Sequence, residues 1–292
     1  RAVQNLINIE QDDKIKAYIR TKDLKNQEYI NQMNVVMITK NGTIKKTSLE
    51  AYSRPRTNGV NAIEIRDNDA LLGARLTDGN SQIMIATKNG KCIRFPEEKA
   101  RAVGRGSIGV RGISLEEKDE VIGMIVVNDL ENDTVLVVSE RGYGKRTAVE
   151  DYRITNRGGK GVITLNITEK TGNLIAIQSV TDEDGLMIIN KSGVAIRMNM
   201  NEMRVMGRNT QGVKVINLKT KDEIAAIAKV EMDSEVVEEE GEEVAENDSN
   251  NPEFKVKPQT GNNQINIGDE EELKKIEDEE AADNADETED NE

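Results

Sequence analysis

Residues 1 to 230 consist mainly of short runs of β-branched and aliphatic residues that alternate with polar residues and end at turn signals. The run from Val35 to Ile38, for example, is followed by Asn41-Gly42. A glycine at such a place supplies the positive φ that a tight hairpin requires. Helical periodicity of 3.6 residues is scarce, so the pattern predicts an all-β fold built from strand-turn-strand units.

The hairpin units repeat with a period of about fifty residues. Spacings of 48, 52 and 51 residues separate the four turn glycines, which are Gly42, Gly90, Gly142 and Gly193. A second set of glycines repeats with nearly the same spacings, 50, 52 and 51 residues, and consists of Gly59, Gly109, Gly161 and Gly212. A period of this length with about four strands per unit is typical of propeller blades, which bury their hydrophobic faces only against neighbouring blades.

The repeat predicts a β-propeller-like pinwheel over residues 1–230. Four full blades are expected, at about residues 35–83, 84–134, 135–185 and 186–230, after a half blade in residues 1–34. Because the opening segment matches only the second half of the unit and begins with Arg1, we expect a fragment whose N-terminal portion lies upstream. A β-sandwich with coincidental glycines is the alternative, but it would not keep two glycine columns in register.

The composition changes sharply near residue 231. Residues 231–292 hold 25 Asp and Glu against four Lys, a net charge of −21, whereas the residues before them hold 29 acids and 36 Lys and Arg, a net charge of +7. This low-complexity tail is predicted to be disordered, since it has too few apolar residues to offset chain entropy. It either improves solubility or competes with a polyanion for the basic body.

Several kinds of chemistry are excluded by residue usage. The chain has no His and a single cysteine, Cys92, which argues against His-based catalysis, ordinary zinc sites and a disulfide framework, and fits a cytoplasmic protein. No apolar run reaches the ~20 residues of a membrane span. Gly104 to Gly109 fits a dinucleotide-binding pattern, but a strand is predicted after it instead of a helix. Asp67-Asn68-Asp69 is interpreted as a turn, not a metal site.

Lys and Arg recur at fixed positions of the repeat. Four residues after each turn glycine come Lys46, Arg94, Arg146 and Arg197. Eight residues before the second glycine stand Arg101, Arg153 and Arg204, and four before it stand Arg105, Arg157 and Arg208. The shorter first unit offers Arg54 and Arg56 instead, and close to the columns lie Lys45, Arg111, Lys145, Lys160 and Lys214.

Radial repetition would turn each column into a ring around the domain, so all of these cations are predicted to form a track for duplex DNA. Contacts to phosphate neutralise charge without reading bases. The chain has only five Tyr, two Phe and no Trp, and none of them interleaves with the columns. Base stacking on aromatic rings is therefore not favoured, and neither is single-stranded nucleic acid.

These residues resemble the C-terminal β-pinwheel domain of DNA gyrase A over essentially all of residues 1–230. The most characteristic segments are Val103 to Ile113, Gly142 to Thr147, Arg157 to Val162 and Met206 to Val213. The resemblance implies that the domain wraps duplex DNA as part of a type II topoisomerase, an isomerase that introduces negative supercoils with ATP. The corresponding domain of the related topoisomerase IV is one alternative, and a propeller scaffold that binds an acidic protein is another.

The resemblance also implies what the fragment lacks. ATP and Mg²⁺ would be used by gyrase B in an A2B2 holoenzyme. Gyrase A would join this holoenzyme through the missing N-terminal region. No catalytic residue or cofactor is expected in the fragment itself. The family's catalytic region and its first blade, which carries the wrapping box Gln-Arg-Arg-Gly-Gly-Lys-Gly, are expected to lie upstream of this fragment. Thr155 to Gly161 differs from the box at the first two positions, so only phosphate contact is carried over. Tyr143 and Tyr152 are expected to be structural.

Overall fold

The computed structural model describes residues 13–54, 56, 58–219 and 222–231. Most of the predicted acidic tail and the start of the predicted half blade therefore lie outside the described residues. The described residues form one short helix, α1 (Gln27–Gln32), four 3₁₀ turns and fifteen strands, which confirms the predicted all-β class. The strands are β1 (Asn34–Thr39), β2 (Thr43–Ser48), β3 (Leu71–Thr77), β4 (Gln82–Thr87), β5 (Lys91–Pro96), β6 (Val110–Arg111), β7 (Val121–Val127), β8 (Thr134–Ser139), β9 (Tyr143–Ala148), β10 (Val162–Ile163), β11 (Leu174–Val180), β12 (Asp184–Asn190), β13 (Ala195–Asn199), β14 (Val213–Lys214) and β15 (Ile224–Glu231).

Each of the last three repeats contributes a hairpin to its own sheet and a short strand to the preceding one. The first sheet has the order β3-β1-β2-β6, and the second and third have the orders β7-β4-β5-β10 and β11-β8-β9-β14. In each of them the two-residue strand comes from the following repeat, as where Val162 pairs with Cys92. The fourth sheet, β15-β12-β13, has three strands within the described residues. This exchange of strands ties every blade to the next.

The hairpin strands are buried on both faces because neighbouring sheets stack against each other. Ile83 and Ile85 of β4 pack in a cluster with Val36 and Ile38 of the first sheet. The intervening Met84 packs on the opposite side, in a cluster with residues of the third sheet. A strand that is buried on both faces has no solvent-facing alternation, which is why these strands read as nearly continuous apolar runs.

An aspartate precedes the third strand of three blades, Asp69 before β3, Asp119 before β7 and Asp222 before β15, and its carboxylate bonds to the hairpin turn of its own blade. The Asp69 carboxylate accepts hydrogen bonds from the backbone N–H groups of Asn41, at 2.9 Å, and of Ala70, at 2.8 Å. In the third blade the backbone carbonyl of Thr171 accepts from Arg141 N–H at 3.2 Å instead. Among the described residues no group of three or more His, Cys, Asp or Glu could hold a metal ion, and Asp69 lies in a turn, as predicted.

Candidate nucleic-acid interface

Four segments follow the 3₁₀ turns, and the last three, which are rich in glycine, cross to the preceding sheet. We call the four segments straps, and they comprise the described residues of 53–65 together with residues 100–115, 152–167 and 203–218. In the last three the backbone N–H of one residue bonds to a carbonyl in the preceding sheet at 2.8–2.9 Å, and the pairs are Val103 with Lys46, Thr155 with Arg94 and Met206 with Arg146. Each of these three straps is thus held along the edge of the blade before it.

Neighbouring straps are also joined to each other. The Ser114 N–H donates to the carbonyl of Gly159 at 2.9 Å, and its hydroxyl donates to that of Gly158 at 2.7 Å. Asn166 N–H bonds in the same way to the carbonyl of Thr210 at 3.0 Å. The straps therefore form one continuous band that runs from blade to blade.

Eleven of the seventeen predicted cations lie on this band. Exposed side chains are those of Arg54, Arg56, Arg101, Arg111, Arg153, Lys160, Arg204 and Lys214. Half-buried side chains are those of Arg105, Arg157 and Arg208. The structure thus brings the arginines before the second glycines together on one surface feature.

Two of the half-buried arginines, Arg157 and Arg208, lie against the preceding strap. The Arg157 guanidinium donates to the carbonyls of Lys99, at 2.8 Å, and Arg111, at 3.1 Å. Arg208 makes the corresponding bond to the carbonyl of Ile163 at 3.3 Å. Part of each guanidinium is thereby oriented by the protein while the rest still faces solvent.

The cations that come four residues after the turn glycines do not all lie on the surface, where the sequence predicted them. Lys46, Arg94 and Arg146 are buried, not exposed on a perimeter. The Lys46 ammonium lies 3.2 Å from the carbonyl oxygen of Glu97 and 3.5 Å from its carboxylate, inside the junction with the second blade. These positions sit in the middle of strands that are covered on both faces, so solvent does not reach them.

Arg94 repeats this arrangement one blade further on. Its guanidinium donates to the carbonyls of Val149, at 2.6 Å, and Tyr152, at 3.1 Å, which lie at the start of the 3₁₀ turn of the third blade and just after it. Its Nε also bonds to Gln82. Burial lowers the pKa of Arg94 from its ordinary value. The column cations connect blades, and we withdraw the prediction that Lys46, Arg94 and Arg146 contact DNA.

Lys45 and Lys145 require the same correction. The Lys145 ammonium is fully buried and bonds to the carbonyls of Gly207, at 2.6 Å, and Arg208, and to the hydroxyl of Thr210 at 3.0 Å. Lys45 bonds in parallel to the carbonyls of Ala62, at 2.7 Å, and Arg105. Burial lowers the pKa of Lys45, and the nearby Arg105 charge lowers it further. Both lysines thus bind backbone carbonyls of the straps from the interior of the domain.

Arg197 is the member of the buried column that belongs to the last described blade. Unlike its counterparts it is exposed. Its strand, β13, is an edge of the fourth sheet in the described part of the chain, whereas β9, which carries Arg146, is covered by the fourth strap. Its exposure therefore follows from its position at the end of the described blade series.

The tyrosines singled out by the sequence are built into the blades. Tyr152 is fully buried, its hydroxyl lies 2.5 Å from that of Thr164, and burial raises its pKa. Tyr143 lies beneath the Lys170 ammonium, 5.5 Å from the ring centre. In the part of the chain that the structure describes, no helix is long and apolar enough to cross a membrane.

Sequence comparison places this repeated architecture in a known family. The family model described as DNA gyrase C-terminal domain, beta-propeller, matches residues 34–78, 81–128, 133–181 and 186–231, one match for each sheet. The chain belongs to the DNA gyrase C-terminal domain family. The A subunit of DNA gyrase from Staphylococcus aureus (strain NCTC 8325 / PS 47) is 44% identical over 233 residues, which cover 80% of this chain and 26% of that relative. The chain thus spans about a quarter of the length of this relative.

Solved structures of gyrase-type C-terminal domains share the fold. The C-terminal domain of DNA topoisomerase IV superimposes with a TM-score of 0.72 and 23% identity, covering 79% of this chain and 70% of that one. The DNA gyrase A C-terminal domain superimposes with a TM-score of 0.68 and 24% identity, covering 78% and 74%. These likenesses confirm the predicted pinwheel architecture.

Proposed function

We propose that this domain wraps duplex DNA along the band of straps, as the C-terminal part of DNA gyrase A. In that role it would support ATP-dependent negative supercoiling together with gyrase B, which would supply the ATP and Mg²⁺ chemistry in the cytoplasm. The observation that carries the proposal is the recurrence of exposed arginines in consecutive straps that are hydrogen-bonded to one another.

The band is suited to phosphate more than to bases. Contacts to the DNA backbone release counterions and fix the position of the duplex, but they carry no direct sequence information. Bending a duplex costs on the order of several kcal/mol, and the additional contacts that the curved duplex makes offset this cost. A band whose straps are fixed to sheets and to each other loses little freedom on binding, so more of the contact free energy remains for bending.

Gyrase is favoured over topoisomerase IV by sequence. Identity to the A subunit of a DNA gyrase is 44% over 233 residues, whereas the solved gyrase A and topoisomerase IV domains, at 24% and 23% identity, share the fold and do not distinguish the two. A scaffold for an acidic protein is less well supported, because a protein epitope would not demand an arginine at the same position of consecutive blades.

Two measurements on the complete chain test the proposal. If about eight phosphates are engaged, the logarithm of the binding constant for duplex DNA should fall with the logarithm of salt concentration with a slope of roughly −7. Sealing a nicked plasmid in the presence of the protein should trap a change in linking number, since wrapping alters DNA topology. A slope near zero would exclude the DNA track, and binding without a linking-number change would exclude wrapping.

A further inference from the structure

An apolar side chain follows the first arginine in each of the last three straps. The residues are Ala102, Ile154 and Val205, which come directly after Arg101, Arg153 and Arg204. All three are exposed, Ile154 to 55% and Val205 to 50%. One exposed aliphatic side chain is ordinary in a protein. Recurrence at the same repeat position, each time beside an exposed arginine, indicates a shared role.

The backbone holds these side chains in equivalent places. Ile154 forms a parallel β-bridge with Arg94, and Val205 forms one with Arg146. The residue after each also donates its N–H to the carbonyl of the same buried arginine, as Thr155 does to that of Arg94 at 2.9 Å. The aliphatic groups therefore stand on a fixed edge of the blade and not on a loose loop.

The bridge itself does not require an aliphatic side chain. An extended backbone at a solvent-facing edge is equally compatible with Thr, and Ala102 shows that β-branching is dispensable at this position. The presence of apolar side chains at this repeat position must therefore be explained by the binding partner that they face.

Duplex DNA presents an alternation of charged phosphates and apolar sugar edges that matches this pairing of groups. Proteins that bend DNA combine arginines with apolar side chains at the minor groove. Deoxyribose offers C–H groups to an aliphatic contact, whereas ribose would place its 2′-hydroxyl there. Covering that hydroxyl with an aliphatic group without a hydrogen-bond partner is unfavourable.

We propose that Ala102, Ile154 and Val205 contact the deoxyribose rings between the phosphates that the neighbouring arginines bind. This contact supplies a part of the affinity that does not depend on salt, and it favours duplex DNA over duplex RNA. The inference rests on the proposed function, since it assigns a second kind of contact to the same band.

The test replaces two of these side chains in the complete chain, as Ile154→Ser with Val205→Ser. A matched control, Ile189→Ser with Val194→Ser, removes the same residue types from the β12–β13 hairpin, outside the straps, where they are 37% and 49% exposed. Binding to a DNA duplex and to an RNA duplex of equal length is measured at several salt concentrations. Thermal unfolding of every variant is measured in parallel, and Ile154→Thr with Val205→Thr replaces the serine pair if that pair is unstable.

The strap variant is expected to bind DNA about tenfold more weakly, from the apolar surface removed, with an unchanged salt slope because no charge is lost. Its preference for DNA over RNA should fall, and the control should match the wild-type protein. Equal losses in strap and control variants, unaltered affinity, or a shallower slope in the strap variant would each overturn the inference. Failure of the wild-type protein to bind DNA would instead refute the proposed function.

Discussion

The guanidinium of Arg146 donates a hydrogen bond of 2.6 Å to the carbonyl oxygen of Met200, 54 residues later in the chain. Met200 begins the 3₁₀ turn of the fourth blade, and Arg146 also bonds to the carbonyl of Met203, just after that turn, at 3.3 Å. The Met200 carbonyl also accepts from the Met203 N–H at 3.1 Å, so the buried guanidinium adds a charged donor to this turn. One side chain thus closes the turn of the following blade.

Arg146→Ala should therefore lower the free energy of unfolding by about 3 kcal/mol, because several buried acceptors lose their donor. The matched change is Arg197→Ala at the equivalent, exposed position, where a loss below about 1 kcal/mol is expected. Urea unfolding followed by circular dichroism gives both values. Equal losses would show that burial of the column has no energetic consequence.

Lys45→Ile should cost about 2 kcal/mol of unfolding free energy, since the partly buried carbonyl of Arg105 would lose the Lys45 ammonium and that of Ala62 would keep the Tyr52 hydroxyl, at 3.2 Å, in its place. The second blade carries Ile93 at this position, so an isoleucine is compatible with the strand itself. Amide exchange should become faster in the strap that contains Arg105. Unchanged exchange there would argue against a role of Lys45 in holding the strap.

Replacing Arg101, Arg153 and Arg204 together by Ala should make the salt slope of DNA binding shallower by about 3, from about 0.9 per phosphate contact. A control triple, Lys22→Ala, Lys25→Ala and Lys191→Ala, removes three cations outside the straps. Titration of labelled duplex DNA at several salt concentrations measures both slopes. Equal changes would mean that position on the band is irrelevant and that net charge alone determines binding.

Gly161→Ala should destabilise the domain, because Gly161 has φ of +79° and a Cβ there would lie 2.6 Å from the carbonyl oxygen of Cys92. Gly106→Ala is the control, since its Cβ would meet nothing within 4 Å. The Gly106 variant should unfold at the wild-type temperature while binding DNA more weakly, as the added methyl keeps phosphate from the backbone. A Gly161 variant as stable as the wild type would contradict the close approach of strap and sheet.

The repeat and its all-β class could be predicted from glycine spacing because tight turns and close backbone approaches recur with every blade. Spacing identifies equivalent positions, but it does not say whether they face solvent. Arg94 lies between Ile93 and Phe95, which are both buried, so the polar residue interrupts a strand covered on two faces. That context indicates that Arg94 is internal, whereas Arg153, beyond the 3₁₀ turn, lies between the buried Tyr152 and the exposed Ile154.

The exchange of short strands also determines how the domain bears mechanical load. A bent duplex acts as a spring that tends to straighten, and its restoring force pulls on the straps. Each of the last three straps is covalently part of one blade but hydrogen-bonded to the sheet of another, as Val213 of β14 pairs with Gly144 of β9. Tension applied at one strap is consequently shared by two blades, and peeling it away requires rupture of contacts in both.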